Sequence, residues 1–154
     1  MNIISVVSTP SKSLYNKLNN LFEGYKIIYF SELIRNNVSN KSDLWTSINN
    51  DILSGKPIKD EDICNLILEQ FVENIIENYI LLGFPRTAQQ LKYLENLLDT
   101  GKIKYKLIGV FSKTENNITL KESFKERNDV IEVTNFDDLL ALQRAITLRI
   151  SVTS

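Results

Sequence analysis

The chain contains no histidine and a single cysteine, Cys64. Histidine is the side chain that most often serves as general base or metal ligand near neutral pH. A histidine-dependent catalytic triad or zinc site is therefore not expected. One cysteine excludes an intrachain disulfide, and nothing around Cys64 marks it as reactive. An excess of either charge is also lacking: a formal net charge of −1 leaves no global field to attract nucleic acid or an anionic membrane. No apolar run approaches the ~20 residues needed to span a bilayer. The N-terminal MNIISVVST lacks the basic segment of a signal peptide. These absences predict a cytoplasmic or organelle-interior protein with no evident targeting signal, no membrane span and no nucleic-acid partner.

What is present suits a globular core. The 154 residues are 43% hydrophobic and 24% charged, enough for one domain, taken here as residues 1–154, to bury a sizeable interior. Short apolar runs alternate with longer stretches of helical period. Strands are predicted at residues 3–7, 26–30, 79–82, 105–111 and 130–133. Helices are predicted at 12–22, from Ser31 onward, from Ser42 or Asp43 through Leu53, from Asp60 onward, and at 88–98, 114–125 and 136–150. Ser31 and Asp60 read as helix caps. Ile63, Ile67, Phe71 and Ile75 form one apolar row. Strands separated by helices require crossover connections, and hence an α/β fold with a five-stranded parallel sheet flanked by helices. Ligands of such sheets bind beyond the carboxyl ends of the strands. That edge carries Arg86, in ILLGFPRT, and the residues after Val7.

ILLGFPRTAQQ resembles the adenylate kinase family, whose members carry D-G-F-P-R-T-x-x-Q at this point. Further motifs follow the family's order and spacing: Glu32-Leu33-Ile34-Arg35, Ser42-Asp43-Leu44-Trp45, Ser54-Gly55-Lys56 and Asp60-Glu61. The resemblance runs from about residue 3 to residue 98. Several motifs in register make a specific signal, where GFPR alone would not.

The resemblance implies a P-loop NTPase-like, three-layer core with a small helical monophosphate-binding insertion near residues 31–60. It also implies an AMP site between that insertion and the core. Arg35 and Arg86 match the family's two phosphate-holding arginines, whose planar forks suit bidentate contact. Gln90 matches the glutamine that reads the adenine edge. Gly83 matches the glycine that lets backbone approach the nucleotide. Ile52, Lys56 and Ile58 match the wall over base and ribose. Phe30 stands where the family has a threonine facing the monophosphate.

The triphosphate half of the family pattern is largely missing. A P-loop needs G-x-x-x-x-G-K-[ST] after the first strand, because its glycines let backbone N–H groups surround the phosphates. Here the segment is VVSTPSKSLYNKL, without glycine. Lys12 and Ser13 are the vestige of that motif, and Pro10 removes a donor N–H. The family's aspartate before G-F-P-R, which helps organise Mg²⁺, is Leu82 here. Leucine cannot hold a cation, so no Mg²⁺ site is expected. The segment 111–133 leaves no room for the family's lid. Lys121 and Lys125 fall near the family's arginine positions with Arg127 beside them, either to meet an anion or to form a solvated face.

Phosphoryl transfer depends on positioning and on cationic stabilisation of the moving group. Removing one such contributor costs ~3 kcal/mol, or about two orders of magnitude in rate. The expectation is a catalytically impaired adenylate kinase-like protein, or pseudoenzyme. It would require no cofactor, retain a site for AMP or a related nucleotide, and serve as a binding or structural module, perhaps as a subunit of a larger assembly. The alternative is an active nucleoside monophosphate kinase, a phosphotransferase from ATP to AMP, using Lys12, Lys121, Lys125 and Arg127. Two features suggest a protein partner: Trp45, which replaces a family glycine, and the broadly apolar final helix with Leu139, Leu140, Leu142 and Ile146. Packing within the insertion and burial in the core are the respective alternatives.

Overall fold

The β-branched run after Met1 becomes the centre of a parallel sheet. The computed structural model describes residues 1–37, 39–72 and 76–151. Its strands are β1 (Asn2–Val7), β2 (Lys26–Ile28), β3 (Asn78–Leu82), β4 (Lys106–Ser112) and β5 (Asp129–Val133), in the spatial order β2-β3-β1-β4-β5. All four pairings are parallel, and Ile4 lies between Ile80 of β3 and Ile108 of β4. Helices α1 (Lys12–Leu21), α2 (Phe30–Asn36), α3 (Asp43–Leu53), α4 (Asp60–Val72), α5 (Ala88–Thr100), α6 (Ile118–Arg127) and α7 (Leu139–Ser151) fill the connections.

A strand's side chains alternate between faces, so a sheet covered on both sides needs apolar residues at every position. On one face Ile3, Tyr79, Leu81, Leu107 and Phe111 pack with Ile67 and Phe71 of α4, Leu91, Leu94 and Leu98 of α5, and Leu120 and Phe124 of α6. On the other, Ile4, Val6, Ile80, Leu82, Ile108 and Val110 meet Leu18 of α1 and Leu142 and Ile146 of α7. Each such aliphatic side chain contributes about 1.5–3 kcal/mol by leaving water. The result is the expected three-layer α/β architecture, P-loop NTPase-like in arrangement. Among the described residues no helix is long and apolar enough to cross a membrane.

Several boundaries differ from expectation, each for a local reason. Ser31 does not cap α2. The helix begins at Phe30 after Tyr29, so β2 is shorter than predicted and Ser31 lies inside the first turn. Ser42, rather than Asp43, caps α3, its Oγ accepting from Trp45 N at 3.3 Å. Asp60 is the first residue of α4, and its carboxylate serves another helix, as described below. Asn117 caps α6 by accepting from Leu120 N at 3.1 Å, so the helix starts later than the polar KTEN segment suggested. Asp138 accepts from Ala141 N at 3.1 Å and sets the later start of α7. Ile75, the last residue of the row expected along α4, lies outside the described residues.

Trp45 corrects one partner assignment. It is only 2% exposed and packs with Ile48 of α3 and Leu66 of α4. It anchors α3 to α4 and is not a contact surface. On α7, Leu142 and Ile146 are buried, whereas Leu140 and Leu148 are exposed. The helix therefore serves the core along one stripe and faces solvent along another.

Glu95 of α5 gives the fold a pH dependence. It is buried; Asn128 Nδ2 donates to it at 3.4 Å and Arg127 NH1 lies 3.4 Å away. Burial pushes its carboxyl above the usual range, outweighing the Asn128 bond and the Arg127 charge. The folded chain then keeps a proton that the unfolded chain releases. Stability from this group is full below the ordinary glutamate pKa and is lost as pH rises through the folded value. Glu95→Gln is expected to flatten that fall in thermal melts taken between about pH 4 and pH 7. An unchanged slope would assign the dependence to other groups.

Candidate functional site

The connection after β1 runs toward β2, and the connection after β4 runs toward β5. Opposed crossovers of this kind leave a crevice at the carboxyl edge of a parallel sheet. Two adjoining cavities lie there. One, of about 250 Å³, is lined by Pro10, Tyr29, Phe30, Ser31, Ile34, Ile58, Ile63, Leu82, Gly83, Phe84, Arg86 and Gln90. The other, of about 150 Å³, is lined by Val7, Ser8, Thr9, Gly83, Pro85, Arg86, Glu115 and Asn117. Gly83 and Arg86 border both.

The strand-to-helix turn after β3 sets Arg86 in place. Gly83 N donates to Val6 O at 2.9 Å, extending the β1–β3 ladder by one bond. Ser5 Oγ donates to Phe84 O, and the Phe84–Pro85 peptide is cis. Thr87 caps α5, its Oγ1 accepting from Gln90 N at 3.1 Å. The Arg86 backbone is held on both sides: its N donates to Gln90 Oε1 at 2.8 Å, and its O accepts from Asn117 Nδ2 at 2.8 Å. Arg86 Nε donates to Gly83 O at 3.2 Å. Among the described residues no carboxylate pairs with this guanidinium, so its charge stays available at the cavity mouth.

Gln90 is 9% exposed, and both ends of its amide are engaged. Besides accepting from Arg86 N, it donates through Nε2 to Asp60 Oδ1 at 2.9 Å. Rather than offering a free edge to a base, it locks the start of α4 to the Arg86 turn. Cys64 lies behind it, with Sγ 3.8 Å from Gln90 O. Burial, aided by the Asp60 charge, pushes that thiol up to about 12, so it stays protonated and unreactive.

The remaining predicted residues divide. Ile58 lines the larger cavity. Ile52 is 42% exposed, and Lys56 is fixed through its backbone N, which donates to Asp51 O at 2.9 Å; neither lines the cavity. Arg35 points to Glu32, with NH1 3.3 Å from Oε1, so it does not converge with Arg86. Lys12 and Ser13 occupy the first turn of α1, capped by Ser11, whose Oγ accepts from Leu14 N at 3.1 Å. Lys12 Nζ bonds Glu32 and lies 5.5 Å from the centroid of the Tyr15 ring. The Lys12 bond, with Arg35 nearby, holds the Glu32 carboxyl below the usual range.

The basic residues of α6 are taken up locally. Lys121 pairs with Glu132 at 2.6 Å, Lys125 with Glu122 at 3.5 Å, and Arg127 with Asp99 at 3.1 Å. All three are ion-paired, Lys121 largely shielded and Lys125 and Arg127 half exposed, and none lines either cavity. Sequence reasoning missed Glu32, Asn117 and the Asp60 carboxylate. Asp60 carried a local signal, but as a helix cap, and Asn117 fell inside the helix predicted over 114–125.

No family model matches the chain. Several curated proteins do. The adenylate kinase of Mesomycoplasma hyopneumoniae (strain 7448) is 38% identical over 78 residues, 48% of this chain and 36% of that protein. That of Wolbachia sp. subsp. Drosophila simulans (strain wRi) is 33% identical over 98 residues, covering 62% of this chain and 46% of its own length. That of Buchnera aphidicola subsp. Schizaphis graminum (strain Sg) is 29% identical over 97 residues, 61% of this chain and 45% of that protein. The chain thus spans less than half the length of these curated relatives. Together the matches support a relationship between this chain and the adenylate kinase family.

Proposed function

We propose that this chain is an adenylate kinase-like protein that binds a nucleoside monophosphate, AMP first among them, and transfers phosphate poorly or not at all. Residues 1–154 are taken as one such domain, with 31–60 as its monophosphate-binding insertion. The observation that carries the reading is the 250 Å³ cavity at the carboxyl edge of the sheet, where Arg86 meets the rings of Tyr29, Phe30 and Phe84. Aromatic faces suit a flat base, and a guanidinium with no carboxylate partner among the described residues suits a phosphate.

Loss of transfer is supported by the other half of the crevice. The turn after β1 has no glycine, and the Pro10 ring packs where a Gly83 side chain would begin, about 2.9 Å from that point. Lys12 is bonded to Glu32. The Mg²⁺ that the family resemblance implies does not fit at Leu82, which is buried in the apolar cluster and offers no oxygen. A role as a binding or structural subunit is supported by exposed Leu140 and Leu148 on α7. The opposing reading, an active kinase, is supported by the adenylate kinase relatives alone.

Calorimetry with AMP, ADP, ATP and GMP tests the binding. AMP is expected to bind, and Arg86→Ala to weaken it by about tenfold or more, the usual scale for removing a charged partner. No response to any of the four at millimolar concentration removes the nucleotide part. A coupled assay with AMP, ATP and Mg²⁺ tests the chemistry. Turnover abolished by Lys12→Ala would establish the active kinase instead.

A further inference from the structure

Asp60 lines neither cavity of the crevice, yet one side chain joins it to Arg86, which lines both. Gln90 Nε2 donates to Asp60 Oδ1 at 2.9 Å, and Gln90 Oε1 accepts from Arg86 N at 2.8 Å. The two bonds fix the same direction of the amide. A backbone N–H can only donate, so it must face the amide oxygen. An ionised carboxylate can only accept, so it must face the amide nitrogen. Cys64, one turn after Asp60 on α4, adds a second contact, its Sγ lying 3.8 Å from Gln90 O. Asp60 shares the first turn of α4 with Glu61 and Asp62, so the helix start does not depend on its charge alone. Asp62 turns to Ser47 Oγ of α3 at 2.7 Å. What sets Asp60 apart is that its partner, Gln90, stands in the wall of the larger cavity.

We infer that Asp60 is a positioning residue for the ligand's phosphate: acting through Gln90, it holds Arg86 at the mouth of the larger cavity. The inference deepens the reading of that cavity as a monophosphate site and rests on it. Arg86 is restrained from three directions. Gln90 takes its N–H, Asn117 donates to its carbonyl, and Gly83 O accepts from its Nε. Both terminal nitrogens of the guanidinium are left without a partner among the described residues, in place to meet an anion. Without Asp60, the amide nitrogen of a residue only 9% exposed loses its acceptor. A buried donor left unpaired is costly, so the amide turns toward water and its oxygen leaves Arg86 N. Arg86 then keeps two of its three restraints. A guanidinium fork meets phosphate oxygens in a fixed geometry, so slack in its backbone weakens the contact.

Amide hydrogen exchange followed by NMR, and calorimetry with AMP and adenosine, test this on the intact chain. The proteins compared are wild type, Asp60→Ala, Asp60→Asn, Gln90→Glu, and Gln90→Glu combined with Asp60→Asn, each shown to be folded by its thermal melt. Asp60→Ala is expected to speed exchange of the Arg86 amide about fivefold or more, the scale of one lost hydrogen bond. It should bind AMP about tenfold more weakly and adenosine, which carries no phosphate, as wild type does. Asparagine keeps an acceptor for Gln90 without the charge, so Asp60→Asn should recover most of both. Gln90→Glu sets two carboxylates against each other and should also speed Arg86 exchange. Adding Asp60→Asn, whose amide can donate to the introduced carboxylate, should slow it again, a test that does not need Asp60→Ala to fold. An unchanged Arg86 exchange rate in Asp60→Ala, or an Asp60→Asn no better than Asp60→Ala, overturns the relay and leaves the monophosphate site intact. Faster exchange with AMP and adenosine affinities moving together also overturns it. AMP bound by no variant overturns the monophosphate reading, and the exchange rates then decide on their own whether Asp60 restrains Arg86.

Discussion

Trp45→Ala is expected to lower the unfolding free energy by about 3–5 kcal/mol, the range for removing a large aromatic from a closed core. The argument starts from what surrounds it. Trp45 lies among buried Ile48 and Leu66, with Phe30, Leu33, Ile34, Leu44 and Ile58 packed around them. These side chains come from α2, α3, α4 and the turn before α4, so one indole joins the whole of the 30–60 segment. Truncation leaves a void that these helices can close only by shifting against the sheet. For a chain of this size each kcal/mol moves the melting temperature by roughly 2–4 °C. The loss should therefore exceed ~6 °C in a melt followed by circular dichroism, the chain's only tryptophan having been removed. Trp45→Phe should recover a substantial part. A loss below about 1 kcal/mol, the scale of a surface substitution, would mean that α3 is held by something other than Trp45. Because Phe30 and Ile58 also line the 250 Å³ cavity, Trp45→Ala should weaken AMP binding together with stability.

Legibility from sequence followed how local each determinant was. β1, β3 and β4 are buried on both faces, so IISVV, YILL and LIGVF stand out as short, largely apolar runs. Ser42 was readable as a cap because the residue and its target N–H lie three positions apart. Gly83 and Arg86 were found because strand, turn and helix are contiguous there, and one short motif carries the geometry. The rest depended on tertiary pairing. Asp60 has the signature of a cap, yet its partner is Gln90, thirty positions along the chain, which periodicity does not report. Arg35 sits at the expected spacing, but the orientation of α2 follows from how Phe30, Leu33 and Ile34 pack on Trp45, and this turns the arginine toward Glu32. Ile52 lies on the same stripe of α3 as Trp45 and Ile48, but in the last turn of the helix, where it is 42% exposed. The α6 lysines matched a pattern that their acidic neighbours then absorbed.

Gly83→Ala is expected to cost about 2–5 kcal/mol, from two sources that a mutant cycle separates. Gly83 has φ +77°, a left-handed conformation that costs an ordinary L-residue roughly 1–2 kcal/mol. It cannot relax toward negative φ cheaply, because its N–H is committed to Val6 O at the end of the β1–β3 ladder. The second source is contact: a Cβ there would lie 2.9–3.0 Å from the Pro10 ring, inside normal separation, and overpacking of this kind costs about 1–3 kcal/mol. Shortening the ring with Pro10→Ala should recover the contact cost but not the backbone cost. The Gly83→Ala, Pro10→Ala double mutant should therefore be more stable than the sum of the single mutants predicts. Additive losses would show that the turn after β1 moves freely away from Gly83. Recovery beyond the contact cost would show that the left-handed turn is easily remade. The same two residues line the larger cavity, so the cycle also asks whether Pro10 holds Gly83 as the rigid floor on which Arg86 is aimed. If it does, AMP affinity should fall with Gly83→Ala and return in part with Pro10→Ala, in parallel with stability.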